Sequence, residues 1–229
     1  MLHFFVLFIV LFFSSNYCLQ AQKMNYAKAD SLFAIFTKNS NFLPDSIPTL
    51  SIAPKEFIAY IQTIEQRQLH ILDSFAKQYP VAEMEKEQLK AKICYKNFSH
   101  LLQHPIQNGF FAVQQDEDVA EEIKSFYRRS YQDYSSFLDT IEISQEQYLV
   151  VPEYIEFLNN YLNYQEIRFH IFNGIEKCNA IDRYWLLRLL FTGKVRKIMA
   201  EKIYQELQKT YSSQELMFVR KDFEQKYKK

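Results

Sequence analysis

PKEFIAYIQTIEQRQLHILDSFAKQY, residues 54–79, decides the fold class of this chain. Phe57, Ile58, Ile61, Ile64, Leu69, Leu72, Phe75, Ala76 and Tyr79 recur at the spacing that lines up one face of an α-helix. Pro54 stands where the run begins, a position at which a missing N–H costs nothing. Pro80 and Pro152 stand at the heads of two further runs of the same kind. The first carries Val81, Met84, Ile93, Phe98, Leu101 and Leu102 and is predicted to stop before Pro105, with Glu83, Glu85 and Glu87 near its electropositive N-terminal end. The second carries Ile155, Leu158, Leu162, Phe169 and Phe172.

Outward from these stretches the pattern stays helical. A short helix is expected over residues 23–37, then a loop over 41–49 in which Pro44 and Pro48 forbid regular structure. Asp116, Glu117 and Asp118 open a stretch with Val119, Ile123, Phe126, Tyr127, Tyr134, Phe137 and Leu138, and residues 140–144 read as an extended connection. Residues 184–191 are apolar almost all round, which predicts the most buried helix, with Trp185 as a core anchor. Val195, Met199, Ile203, Leu207 and Tyr211 mark another helix, and Ser212 with Glu215 forms a capping box ahead of a last one bearing Leu216, Val219, Phe223 and Tyr227.

Composition agrees. Only three glycines occur in 229 residues, against an average usage of about 7%, so Gly-rich phosphate cradles and turn-dense sheets are both disfavoured. Gly109, Gly174 and Gly193 each follow an apolar run and read as helix stops. The expected fold is all-α, an irregular multi-helix bundle or array of about seven helices, because such stripes can be buried only against one another.

Residues 1–21 read as a signal peptide. An apolar run from Phe4 to Phe13 is followed by small and polar residues, and cleavage after Ala21 fits the peptidase. The run is shorter than the roughly 20 apolar residues of a bilayer span, so no stable membrane span is expected after cleavage. The domain organisation that follows is 1–21 leader, 22–50 short helix and proline-containing linker, and 51–229 helical domain. An exported, periplasmic location is expected. Lys plus Arg equals Asp plus Glu at 27 each, which leaves no net field to draw nucleic acid.

No chemical constellation stands out. Cys94 and Cys178 are 84 residues apart and form no C-x-x-C; two small buried residues or a structural disulfide between them both stay open. His100 and His104 share a helical face but lack the third ligand a metal would need, and read as surface histidines at a helix C-terminus. The carboxylates Glu83, Glu85, Glu87, Glu121 and Glu122 read as solvated faces, and no nucleophile motif occurs. No catalytic, cofactor or metal residue is expected. Aromatics at 17% leave two readings open, a Tyr- and Phe-rich core or an aromatic groove for an apolar ligand or peptide.

The segments KAKICYKNFSHLLQHP (90–105) and VPEYIEFLNNYLNY (151–164) resemble helices in the region that precedes the thioredoxin domain of TlpA-type envelope proteins of Bacteroidota. The resemblance covers residues 51–229 through apolar and aromatic periodicity, and the chain ends where that domain would begin. Members of that family continue into a W-C-x-x-C redox domain, and no position here matches it. What the resemblance implies is a non-enzymatic accessory module in the cell envelope that binds a protein partner. The alternatives are a small-ligand or peptide-binding protein with an aromatic groove, or a truncated thiol-disulfide oxidoreductase. Nothing in the sequence sets an oligomeric state.

Overall fold

The computed structural model describes residues 23, 25–38, 53–131, 134–173 and 180–227. The predicted leader, the loop around Pro44 and Pro48, Gly174 and Cys178 lie outside the described residues. Among those described the fold is all-α, with no strand and nine α-helices. They are α1 (25–38), α2 (Pro54–Gln78), α3 (Glu83–Gln107), α4 (Phe110–Gln115), α5 (Glu121–Ser130), α6 (Pro152–Asn173), α7 (Ala180–Leu190), α8 (Gly193–Thr210) and α9 (Met217–Tyr227). Two 3₁₀ turns, Ser136–Thr140 and Glu146–Tyr148, join α5 to α6. None of these helices is long and apolar enough to cross a membrane.

The array is centred on α3, which packs against α2 on one side and, most extensively, against α6 on the other. From α6 the chain passes through α7 and α8 to α9, each helix resting on its predecessor. The face of α2 read from the sequence is the buried one: Phe57, Ile61, Ile64, Leu72 and Phe75. In α6, Tyr154, Phe157, Leu158 and Leu162 are wholly enclosed, each such apolar side chain contributing about 1.5–3 kcal/mol by its removal from water. Helix α1 joins this same core. Phe33 lies 5.3 Å, ring to ring, from Phe75, and Asp30 takes Lys92 Nζ of α3 at 2.5 Å.

Pro54 and Pro152 are the first residues of α2 and α6, as their fixed φ suits. The capping box is present. The Ser212 N–H and hydroxyl both donate to Glu215 Oε2 at 2.8 Å, and the Glu215 N–H approaches Ser212 Oγ at 3.4 Å. Gly109 takes φ +69°, the left-handed value that reverses the chain between α3 and α4.

Four expectations give way to tertiary packing. First, α3 does not stop before Pro105 but runs on to Gln107 with the proline inside it. Burial of Leu101, Leu102, His104 and Pro105 offsets the backbone bond lost there, and the Asn108 N–H and side-chain amide both donate to His104 O at 3.0 Å. Second, the stretch opened by Asp116 is not one helix. It breaks after Ser130, and α5 buries no residue, leaving Ile123 and Phe126 exposed. Third, α7 is not closed all round: Tyr184 and Leu187 enter the core, Trp185 is half-buried and Leu189 is 80% exposed. Apolar residues on both sides do not enclose a helix: α6, α8 and, through Asp222, α9 cover only part of it. Fourth, nine α-helices stand among the described residues where about seven were expected, short α4 filling the corner between α3 and α6.

The extended connection expected over 140–144 runs over 141–145, since Thr140 closes the 3₁₀ turn before it; Ser144 Oγ accepts the Thr192 N–H at 3.0 Å, and Tyr154 holds the connection from the core side. Tyr154, wholly buried, donates its hydroxyl to Ile143 O at 2.6 Å and accepts the Gln145 N–H at 2.8 Å. Tyr154→Phe retains the ring and strands both backbone groups, so unfolding in urea should move to a lower midpoint by the equivalent of about 1–3 kcal/mol with the slope unchanged. No shift in midpoint would show that the connection is held elsewhere.

Candidate functional site

A cleft of about 690 Å³ opens where the end of α3, α4, the end of α5 and the middle of α6 meet. Its walls follow from local rules. The left-handed turn at Gly109 folds α4 back so that Phe110 and Phe111 sit against α6, where Phe111 and Tyr164 meet edge to face at 5.9 Å. On α6, Tyr164 and Arg168 are one turn apart, as are Gln165 and Phe169, so two neighbouring rows of one helix face supply that wall. The break after α5 delivers Tyr131, Tyr134 and Ser135 to the opposite side.

The rings are continuous. Phe110 and Tyr131 lie 4.7 Å apart, Tyr131 and Tyr134 5.1 Å apart, and beneath them His104 stacks on Tyr134 at 5.5 Å and on Phe57 at 3.9 Å. Such pairs fix each ring's tilt beyond what burial alone would do. Burial pushes the Tyr134 phenol far above its ordinary range and Tyr131 up to about 12, with neighbouring phenols adding to both. Tyr164 is raised by burial as well, opposed by a hydrogen bond from Ser135 and by the Arg168 charge. The Tyr134 hydroxyl is buried and makes no hydrogen bond among the described residues.

Three arginines line the cleft: Arg128, Arg129 and Arg168, all at exposed positions. Arg128 is held by Glu121, with Ser125 Oγ and Gln114 Oε1 at 3.2 and 3.4 Å. No ion pair engages Arg129 or Arg168 among the described residues, and no described Asp or Glu lines the cleft.

The residues singled out from sequence lie elsewhere. Cys94 is a free thiol on α3 that donates to Glu65 Oε1 at 3.6 Å, and burial, then the Glu65 charge, push it up to about 12. That thiol is a poor nucleophile. His104 is a core residue rather than the surface histidine expected, while His100 is half-buried and held below its ordinary value by burial and then by Lys96. The expectation failed because the rings that cover this helix end, Phe57 of α2 and Tyr131 and Tyr134 after α5, come from distant sequence. Glu121 pairs with Arg128, and Glu87 with Lys90 at 3.9 Å. Among the described residues no group of three His, Cys, Asp or Glu is placed to hold a metal. Sequence reasoning missed Arg129, Arg168 and Tyr134; its one usable signal was arginines interleaved with aromatics at residues 126–134 and 161–169.

The raised phenols predict an alkaline response with a defined sign. A phenol raised in the fold contributes stability that is fully present below its unfolded value of about 10 and is lost as pH climbs through the folded value. Unfolding free energy should therefore be level up to pH of about 9 and fall steadily above about 10. Tyrosinate absorbance should lag behind that of the denatured chain over the same range. Coincident titration of native and denatured protein would contradict the burial.

No family model, curated protein or solved structure matches the chain.

Proposed function

We propose that this chain is a non-enzymatic helical binding module of the cell envelope, and that the α3–α4–α5–α6 cleft is where it holds an apolar, aromatic-bodied ligand. One observation carries the reading: a cleft of about 690 Å³ with a continuous aromatic lining, within the range of volumes, some 300–1,000 Å³, that small-molecule sites occupy. A Tyr- and Phe-rich core explains most of the chain's aromatics, and Phe110, Tyr131, Tyr164 and Phe169 stand where that core borders an opening. The envelope location rests on the leader-like residues 1–21. The non-enzymatic reading rests on a sequence without a C-x-x-C or nucleophile motif and on the half-buried Cys94 thiol, which its surroundings push up to about 12.

A second reading is favoured by a different observation. Met217 and Phe218, adjacent at the head of α9, are 55% and 70% exposed, an apolar pair that a protein partner could cover. The accessory role implied by the resemblance to TlpA-type proteins belongs here.

The cleft reading is tested with N-phenylnaphthylamine, an uncharged aromatic dye that brightens out of water. It should bind saturably, and Ser135→Phe, which fills the cleft from its rim, should weaken binding by about tenfold or more while leaving the far-ultraviolet circular dichroism unchanged. Equal affinity in the variant would remove the cleft from consideration. In an insulin-reduction assay with dithiothreitol the protein should give no rate above the blank; turnover would overturn the non-enzymatic reading.

A further inference from the structure

We infer that the cleft selects organic anions, a carboxylate or similar oxyanion carried on an aromatic body. The inference rests on the cleft being a binding site and goes further by naming what enters it.

Uncompensated cations at the rim come first. Of the three arginines, Arg128 is committed to Glu121 and to Ser125 and Gln114, whereas Arg129 and Arg168 have no carboxylate partner among the described residues. The chain as a whole carries equal numbers of acidic and basic side chains, so this is a local imbalance and not the edge of a general basic surface. A guanidinium offers paired N–H donors in a planar fork that matches a carboxylate, and its weak hydration makes it suited to meeting an anion at the mouth of an apolar site.

The buried hydroxyl of Tyr134 is independent of that charge. Tyr134 is 3% exposed, lines the same cleft, and its hydroxyl has no hydrogen-bond partner among the described residues. Buried polar groups are almost always satisfied, and a phenol in a wall otherwise made of rings is a donor suited to an acceptor brought by a ligand. Beside it the lining holds Ser135 and Gln165, already engaged with Tyr164 and Tyr161. The aromatic walls supply faces and edges for a ring, while Arg129, Arg168 and the Tyr134 hydroxyl, without such partners among the described residues, suit oxygen acceptors. A neutral apolar molecule would use the walls and leave the donors idle; an inorganic anion would do the reverse. An aromatic acid uses both.

Anilinonaphthalene sulfonate and N-phenylnaphthylamine share one skeleton and differ by the acid group, which makes them matched probes. The sulfonate should bind more tightly by about tenfold, and Arg129→Gln with Arg168→Gln should remove that advantage while leaving the uncharged dye within about twofold. Arg220→Gln, on α9 and outside the cleft, should leave both dyes unchanged. Tyr134→Phe should weaken the sulfonate more than the uncharged dye. Competitors then separate the sources of such an acid. Displacement of the sulfonate by phenylpropionate, or by a tripeptide ending in phenylalanine with its carboxylate free, supports the inference and names the source. Displacement by the amidated tripeptide as readily as by the acid overturns it. So does equal affinity for the two dyes when both respond to Ser135→Phe, a result that leaves the binding site standing. If neither dye responds to Ser135→Phe, the site and the inference fall together.

Discussion

The seam between α3 and α6, where Tyr95 meets Tyr154 and Phe157 at ring distances of 4.7 and 5.0 Å, is the contact on which the rest of the molecule is hung. Both helices exceed twenty residues, and neither could persist alone in water with so much apolar surface exposed. Once they pack, each offers its remaining faces: α3 to α2, and α6 to α4 and α7. Tyr154 does two jobs there, filling the seam with its ring and tying down the 141–145 connection with its hydroxyl. The chain's scarcity of glycine is the counterpart of this design, since helices that meet along their lengths need few tight reversals.

That geometry also explains why an opening exists. Helices α3 and α6 are long and packed together, whereas α4 and α5 are short, and α5 buries nothing. Short elements bridging two long ones cannot follow the diverging surfaces at every point, and the cleft is what remains uncovered. Its polar groups reflect the same compromise. Polar pairs inside the α2–α3 seam, Gln68 with Asn97 and Glu65 with Cys94, are satisfied by partners one helix away. Around the cleft, Arg129 and Arg168 have no carboxylate partner and the buried Tyr134 hydroxyl no hydrogen-bond partner among the described residues. Asn97, part of an N-x-S triplet, is 2% exposed and hydrogen-bonded, so it is no acceptor for a glycan in the folded chain.

Legibility followed the range of the forces involved. Helix starts at Pro54 and Pro152, the left-handed turn at Gly109, the Ser212–Glu215 box and the buried face of α2 each depend on residues within a few positions, and each was readable. Pro105 misled because its local penalty is real but smaller than the burial that keeps α3 going. Trp185 misled because an apolar octapeptide says nothing about how many neighbours will cover it. His104 misled for the same reason in reverse: a histidine at a helix end looks solvated until Phe57 and Tyr134 close over it from elsewhere in the chain.

What this sequence determined by itself is therefore the class of fold and the location of its helices, because periodicity, proline and glycine act over a turn or two of backbone. What only the tertiary structure decided is the cleft: four separate segments bring Phe110, Arg129, Tyr134 and Arg168 to one opening. No spacing in the chain encodes that meeting, since it arises from how far long helices diverge and how much of the gap short ones can fill.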